Sequence, residues 1–247
     1  MQGQCAFRFH GELNAFLAPP RRGCEFVHAF DGTPSVKDRI ESLGVPHTEV
    51  DLILVDDRPV GFAHRLHGGE NIAVYPKAGR PDVADAVPLR PALREPRFVL
   101  DVHLGRLAGY LRLLGFDALY RNDYRDEELL AIAHLGGRVV LSRDTGLLKR
   151  AGLAHGAFVH ATDPRRQVRE VLDRFELQAR IRPFARCARC NGSVEAVAPA
   201  DVAGAVPDDV ARRHVAFSRC RQCGQVYWPG SHQARLRERL AEAGVAI

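Results

Sequence analysis

Four cysteines near the C-terminus, Cys187, Cys190, Cys220 and Cys223, have the type and spacing to hold a metal ion. Cys187-Ala188-Arg189-Cys190 and Cys220-Arg221-Gln222-Cys223 are separated by 29 residues. Each CxxC puts two thiolates on one tight turn, and two such turns complete a tetrahedral set with no open position. A closed set is structural, and the ion expected is Zn²⁺, which supplies folding energy to a segment too short to build a core of its own. The competing readings are a redox CxxC or unligated thiols. A redox motif normally opens a helix beside a strand–helix–strand pattern, and neither pair does. His232, in Trp228-Pro229-Gly230-Ser231-His232, is a candidate fifth participant or an ordinary surface residue.

The second set of chemical residues is acidic. Asp101 closes the apolar run Phe98-Val99-Leu100, and Asp144 lies just beyond Val139-Val140-Leu141. Asp123, Asp126 and Glu127 follow the run Phe116–Tyr120, and Asp163 follows Ala157–His160. Ligands of an open parallel sheet bind outside the carboxyl ends of its strands. Carboxylates delivered there repel one another unless a cation neutralises them, and an all-oxygen set suits Mg²⁺ or Mn²⁺. Such ions activate water and stabilise the leaving oxygen of a phosphodiester displacement. Asp126 and Asp163 fit helix caps equally well, Asp144 could cap a following helix, and Asp123 could be a loop residue. Asp101 is harder to dismiss, because an acid at the end of an apolar strand risks burial without a partner. A phosphate-binding receiver domain also gathers acids at strand ends, but its early acid pair and late lysine are missing.

These residues need elements to position them. The segment 97–180 alternates apolar runs with helical periodicity: Leu104, Leu107, Ala108, Leu111 and Leu114 share one face and Gly115 closes that helix. A helix is expected over Asp126–Leu135, with three acids in its first turn, and another after Asp163-Pro164. Strands are expected at Phe98–Leu100, Phe116–Tyr120, Arg138–Leu141 and Ala157–His160. Strands alternating with helices imply an α/β segment with a parallel sheet and flanking helices.

The segment 1–77 reads strand, strand, helix, strand, strand: Ala6–His10, Cys24–Phe30, a helix opened by Ser35 with Asp38 three residues on, Val50–Val55 and Asn71–Tyr75. That order suggests a small ubiquitin-like β-grasp domain and resembles the sulfur-carrier branch of that fold. Sulfur carriers act through a free C-terminal Gly-Gly, whereas this chain runs on through Lys77-Ala78-Gly79-Arg80. Docking or a purely structural role is left. Cys5 and Cys24 lie in apolar, strand-like runs and read as small core residues. Residues 78–96, with four prolines, read as a linker, and 181–247 as a zinc ribbon with a charged terminal helix over Gln233–Ala243.

Composition sets the outer bounds. With 247 residues and 46% hydrophobic content the chain can build more than one globular core. No apolar run is long enough for a bilayer and the N-terminus has no signal-peptide pattern, so the expectation is a soluble, cytoplasmic protein with no membrane partner. The net charge is +5. Residues 1–162 hold 20 Lys+Arg against 20 Asp+Glu, so the excess lies entirely in 163–247, with 15 against 10. A locally basic C-terminal third fits a module that meets polyanions, or simply a solvated surface.

The runs FVLDVHLGRLAGYLRLLGFD, LSRDTGLLKR, RCARCN and CRQCGQVYWPGSH together resemble the Mut-seven C-terminal ribonuclease family. The segment ahead of them resembles the ubiquitin-like domain often found before it in bacteria. The resemblance covers nearly the whole chain. It implies a PIN-like nuclease domain followed by a zinc ribbon, and metal-dependent cleavage of RNA, endonucleolytic or related. By position it carries Asp101 as the first acid, Asp144 as the acid of the arginine-aspartate motif, and a middle acid among Asp123, Asp126 and Glu127, with Asp126 preferred. Ser142 stands where threonine is usual. Arg106 and Arg143, beside Asp101 and Asp144, are candidate phosphate-gripping residues, since guanidinium forks match phosphate oxygens. Arg165, Arg166 and Arg169 could guide RNA along the surface. A non-catalytic RNA-binding adaptor built on the ribbon and the basic C-terminal region is the alternative. A protein-interaction module led by the β-grasp is the third reading.

Overall fold

The computed structural model describes residues 2–242, 244 and 245. The first strands and helix are β1 (Gln2–Phe9), β2 (Phe26–Asp31), α1 (Val36–Ser42), β3 (Leu52–Val55), β4 (Arg58–Pro59) and β5 (Asn71–Tyr75). Residues 76–97 contain neither strand nor helix. Then come β6 (Phe98–Leu100), α2 (Gly105–Leu113), β7 (Ala118–Leu119), α3 (Asp126–Gly136), β8 (Val139–Ser142), α4 (Thr145–Leu148), β9 (Gly156–Phe158) and α5 (Pro164–Phe175). The chain closes with β10 (Val194–Val197), α6 (Asp208–Arg213), β11 (Phe217–Cys220), β12 (Val226–Tyr227) and α7 (Ser231–Glu242). Two compact units result: Met1–Arg94 with Ala133–Phe158, and Glu95–Ile132 with Val159–Ile247. The segment 97–180, read in the sequence as one domain, contributes to both.

The first unit contains a five-stranded sheet of order β2-β1-β5-β3-β4, in which β1 and β5 run parallel at the centre and the other pairs are antiparallel. The alternation of β1 turns Cys5, Phe7 and Phe9 inward, where they meet Val36 and Ile40 of α1, Ile53 and Val74. The strand starts four residues earlier than its alternation predicts, because Gln2, Gly3 and Gln4 pair with Asp31, Phe30 and Ala29. The Ser35 cap forms as a reciprocal capping box: its hydroxyl accepts from the Asp38 amide, and the Asp38 carboxylate accepts from the Ser35 amide.

The two isolated cysteines separate. Cys5 is buried and donates its thiol to Glu70 Oε2 at 2.9 Å. Burial, reinforced by that carboxylate, pushes the thiol up to about 11. Cys24 contradicts the expectation, being exposed and outside any strand: Gly23, at φ +70°, turns the chain just before it and β2 begins only at Phe26.

The same unit fastens the β-grasp segment to β9 and the turns around it. Residues 47–49 form a buried 3-10 turn. Its Glu49 Oε1 accepts from the Phe158 amide at 2.8 Å. His47 Nε2 lies 2.8 Å from the Leu153 carbonyl, with Nδ1 2.6 Å from Glu41. Phe16 meets the edge of the Phe158 ring. Buried acid and imidazole are tolerated here because each has a partner. β8 and β9 pair in parallel, and every residue of β8 is buried, as suits a strand covered on both faces.

In the second unit β6 and β7 pair in parallel and β6 is fully buried. Phe98 of β6 meets the edge of Phe175 of α5. α5 buries Val168, Val171 and Leu172. Asp163 caps it as expected, accepting from the amides of Arg165 and Arg166, and these bonds hold its carboxyl below the usual range. α2 ends as its spacing predicts. Gly115 takes φ +94°, and a Cβ there would run into the Arg182 carbonyl oxygen, so only glycine fits. The carbonyls of Leu113 and Leu114 accept from the amides of Phe184 and Arg182. The chain entering the ribbon therefore satisfies the orphan acceptors of α2. The ribbon sheet is antiparallel, order β10-β11-β12, over a small core of Val202, Val206, Phe217 and Val226. Among the described residues no helix is long and apolar enough to cross a membrane.

Candidate functional site

Asp101 and Asp144 sit in the same local device, in different units. Each follows the carboxyl end of a buried parallel strand and turns its carboxylate back onto the amides of the next turn. Asp101 Oδ1 accepts from the Val102 amide at 2.6 Å, and Asp101 is buried, with 8% of its surface exposed. The Tyr120 hydroxyl, one residue beyond β7, donates to the Val102 carbonyl at 3.0 Å and pins that turn. Asp144 Oδ1 accepts from the Gly146 amide at 2.6 Å, and Asp144 is exposed. Its own amide donates to the buried Ser142 hydroxyl at 2.9 Å, so a hydroxyl at this position orders the acid's backbone. Asp144 is thus also the cap of α4. One oxygen of each carboxylate is oriented by the backbone, the kind of preset geometry that hard-cation ligands use.

The middle acids are placed differently. Asp123 is exposed and paired with Arg121 at 2.8 Å, which holds its carboxyl below the usual range. Asp126 is exposed in the first turn of α3, beside Glu127 and Glu128, and Glu128 accepts from the Arg125 amide. Arg106 is exposed in the first turn of α2, and Arg143 is half-buried before Asp144.

The cysteines come together as expected. Their sulfur atoms all lie within 4.8 Å of one another, with Cys187–Cys223 at 3.6 Å and Cys190–Cys220 at 3.4 Å. A tetrahedron with metal–sulfur bonds of about 2.3 Å has edges of about 3.8 Å, so the set fits an ion such as zinc. The two turns share one backbone pattern. Cys187 N–H donates to the Gly192 carbonyl and Asn191 N–H to the Cys187 carbonyl. Cys220 N–H donates to Gln225 and Gly224 N–H to Cys220. Asn191 and Gly224 both take positive φ, +69° and +73°. Burial opposes ionisation of Cys187, but the Tyr227 hydroxyl and the amides of Cys190 and Arg189 outweigh it and bring the thiol down to about 6. Cys190 goes the other way, pushed up to about 12 by burial and by its sulfur neighbours. Four crowded thiols cannot all ionise without a cation among them. His232, weighed as a fifth participant, has its side chain outside the described residues.

Residues 96–240 match the Mut7-C RNAse domain, and residues 3–82 match the Mut7-C ubiquitin. The chain belongs to the Mut7-C RNase family. Searches of curated proteins and of solved structures each gave no match. The Mut7-C RNAse match contains the candidate catalytic acids, Arg106, Arg143 and the four clustered cysteines.

Sequence reasoning missed the residues that support the first cysteine turn of this Mut7-C chain. Arg112 of α2 is buried; its Nε donates to the Ala118 carbonyl at 2.8 Å and its Nη1 to Ala188 and Arg189 at 3.1 and 3.2 Å. Asn191 accepts from the Ala118 amide at 3.0 Å and donates to Asp117 at 2.7 Å. A zinc ion held by the four thiolates would leave two net negative charges, and the Arg112 guanidinium, bonded to the carbonyls of that turn, would offset part of them. The one sequence signal was Asn191 directly after the second cysteine, where a residue tolerant of positive φ is required.

Proposed function

We propose that this chain is a metal-dependent ribonuclease that hydrolyses RNA phosphodiester bonds with carboxylates at the ends of parallel strands. The match of residues 96–240 to an RNase domain carries the reading. Asp101 and Asp144 are the acids we assign first, because each is preset by the backbone immediately after a buried strand. Asp126 is the third, and Asp123, already committed to Arg121, is the weakest of the set. These carboxylates would hold Mg²⁺ or Mn²⁺, which supplies a more acidic water and neutralises charge on the phosphate. Arg106 and Arg143 would orient the phosphate. Zinc in the cysteine set is structural, and thiolate metal sites with unpaired cysteines fit a reducing cytoplasm. A protein partner for the ubiquitin-like region belongs to this reading on the strength of the Mut7-C ubiquitin match.

The test is cleavage of end-labelled single-stranded and structured RNA with Mn²⁺, Mg²⁺ or EDTA. Wild type is run beside Asp101→Asn and Asp144→Asn, with bound zinc measured in each. Metal-dependent cleavage that falls at least about a hundredfold in both zinc-loaded variants is expected. Cleavage that survives EDTA and Asp101→Asn would overturn the reading. RNA binding without cleavage by wild type would favour the adaptor.

A further inference from the structure

The ribbon carries a cleft of about 610 Å³, within the size range of small-ligand sites, that the reaction above does not use. Arg213 and His214 at the end of α6, Trp228 and Gly230 after β12, and Arg237 of α7 line it. Trp228 is the only tryptophan in the chain. Half-buried, it packs against the valine and phenylalanine core of the ribbon and still lines the cleft. Among the described residues no carboxylate lines it. Arg213 holds Asp209 one helical turn back, but both side chains are well exposed, and such a pair exchanges for another anion at little cost. Arg237 stacks over Phe184 at 5.1 Å, which orients the guanidinium at the edge of the cleft. A second groove, of about 660 Å³ between α2 and α5, is less suited to an anion. Its lining includes the Asp163 carboxylate, which repels an anion.

We propose that the ribbon cleft binds one nucleotide of single-stranded RNA, the base stacked on Trp228 and the phosphate held by Arg213, His214 and Arg237. An indole face accepts any base, and stacking on aromatic side chains with cationic neighbours is how sequence-tolerant single-strand sites are built. A paired base in a duplex offers no free face, so the cleft discriminates against double-stranded RNA. RNA as the polymer rests on the ribonuclease reading, but binding here needs no catalysis, so the two are read separately.

The experiment uses the full, zinc-loaded chain carrying Asp144→Asn, titrated with oligouridylate and with its duplex with oligoadenylate. Trp228 emission reports the cleft, and anisotropy of end-labelled RNA reports binding anywhere. Saturable quenching by the single strand, about tenfold tighter than by the duplex and weakening as salt rises, is expected. Arg213→Ala, at an exposed position that leaves the fold intact, weakens both signals several-fold. Trp228→Phe abolishes the emission change and loosens anisotropy-detected binding about tenfold. RNA that binds by anisotropy with unchanged Trp228 emission and undiminished affinity in Arg213→Ala would overturn the proposal while leaving the nuclease reading standing. So would failure of zinc-loaded protein to bind RNA by either signal.

Discussion

The two cysteine turns of the ribbon have the same backbone hydrogen bonds and the same positive-φ residue, yet their surroundings differ. The first is embedded: Cys187, Asn191 and Gly192 are buried, and Arg112, Asp117 and Ala118 hold it from α2 and β7. Residues 221–225 of the second are all exposed, Cys223 included. Its supports are its own hairpin, the pairing of Cys220 with Val194, the bond from the Arg221 amide to the Ser193 carbonyl at 3.0 Å and the ion pair of Arg221 with Glu195. Identical ligand chemistry therefore hides unequal dependence on the metal. The first turn has a scaffold from α2 and β7, whereas the second leans on β10 and its own hairpin, so a bound ion would matter more to it.

Removing the metal should expose this difference most strongly. Zinc chelation, or Cys223→Ser, is expected to release amide protection at residues 220–226 first, with residues 187–192 following later. Simultaneous loss of both turns in hydrogen exchange would break the comparison. Arg112→Met should be the most destabilising substitution that spares the ligands, by roughly 3 kcal/mol in urea unfolding, because three backbone carbonyls lose a charged donor together. An effect below about 1 kcal/mol would show that the scaffold matters little. Asn191→Ala is expected to cost about 2 kcal/mol, through its two side-chain bonds and its left-handed backbone. Gly224→Ala, in the matching position of the exposed turn, should cost about 1 kcal/mol, a purely conformational term. Arg221→Ala should change stability by less than about 0.5 kcal/mol, since its pair is solvent-exposed.

The contrast also marks what could be read from the sequence. The cysteine set was legible because ligand spacing is local and the chemistry of thiolates is narrow. Local signals also located the ends of α1, α2 and α5, each written in a cap or a glycine within a few residues. The positions of Asp101 and Asp144 after their strands were legible for the same reason, as was the cap at Asp163. The hydrogen-bond partners of Asn191 and the clamp of Arg112 were not, because all of these bonds but that of Arg112 to Ala118 join residues more than seventy positions apart. A buried arginine in a helix looks like any other arginine until its carbonyl partners are known. The two-residue strand β4 carries too few residues for a period to show, whereas β7 falls inside the expected run Phe116–Tyr120. Cys24 misled because a β-branched, aromatic run follows it, and the strand starts only after the turn at Gly23.

The bond between Glu49 and Phe158 has a consequence for the order in which the chain is made. Synthesis proceeds from the N-terminus, so the β-grasp segment leaves the ribosome with Glu49 complete and its amide partner, 109 residues downstream, not yet translated. Until Phe158 emerges, that carboxylate lacks the amide it meets in the folded chain. The segment made first is in this sense among the last to be finished, because a contact of its buried turn waits on residues translated much later.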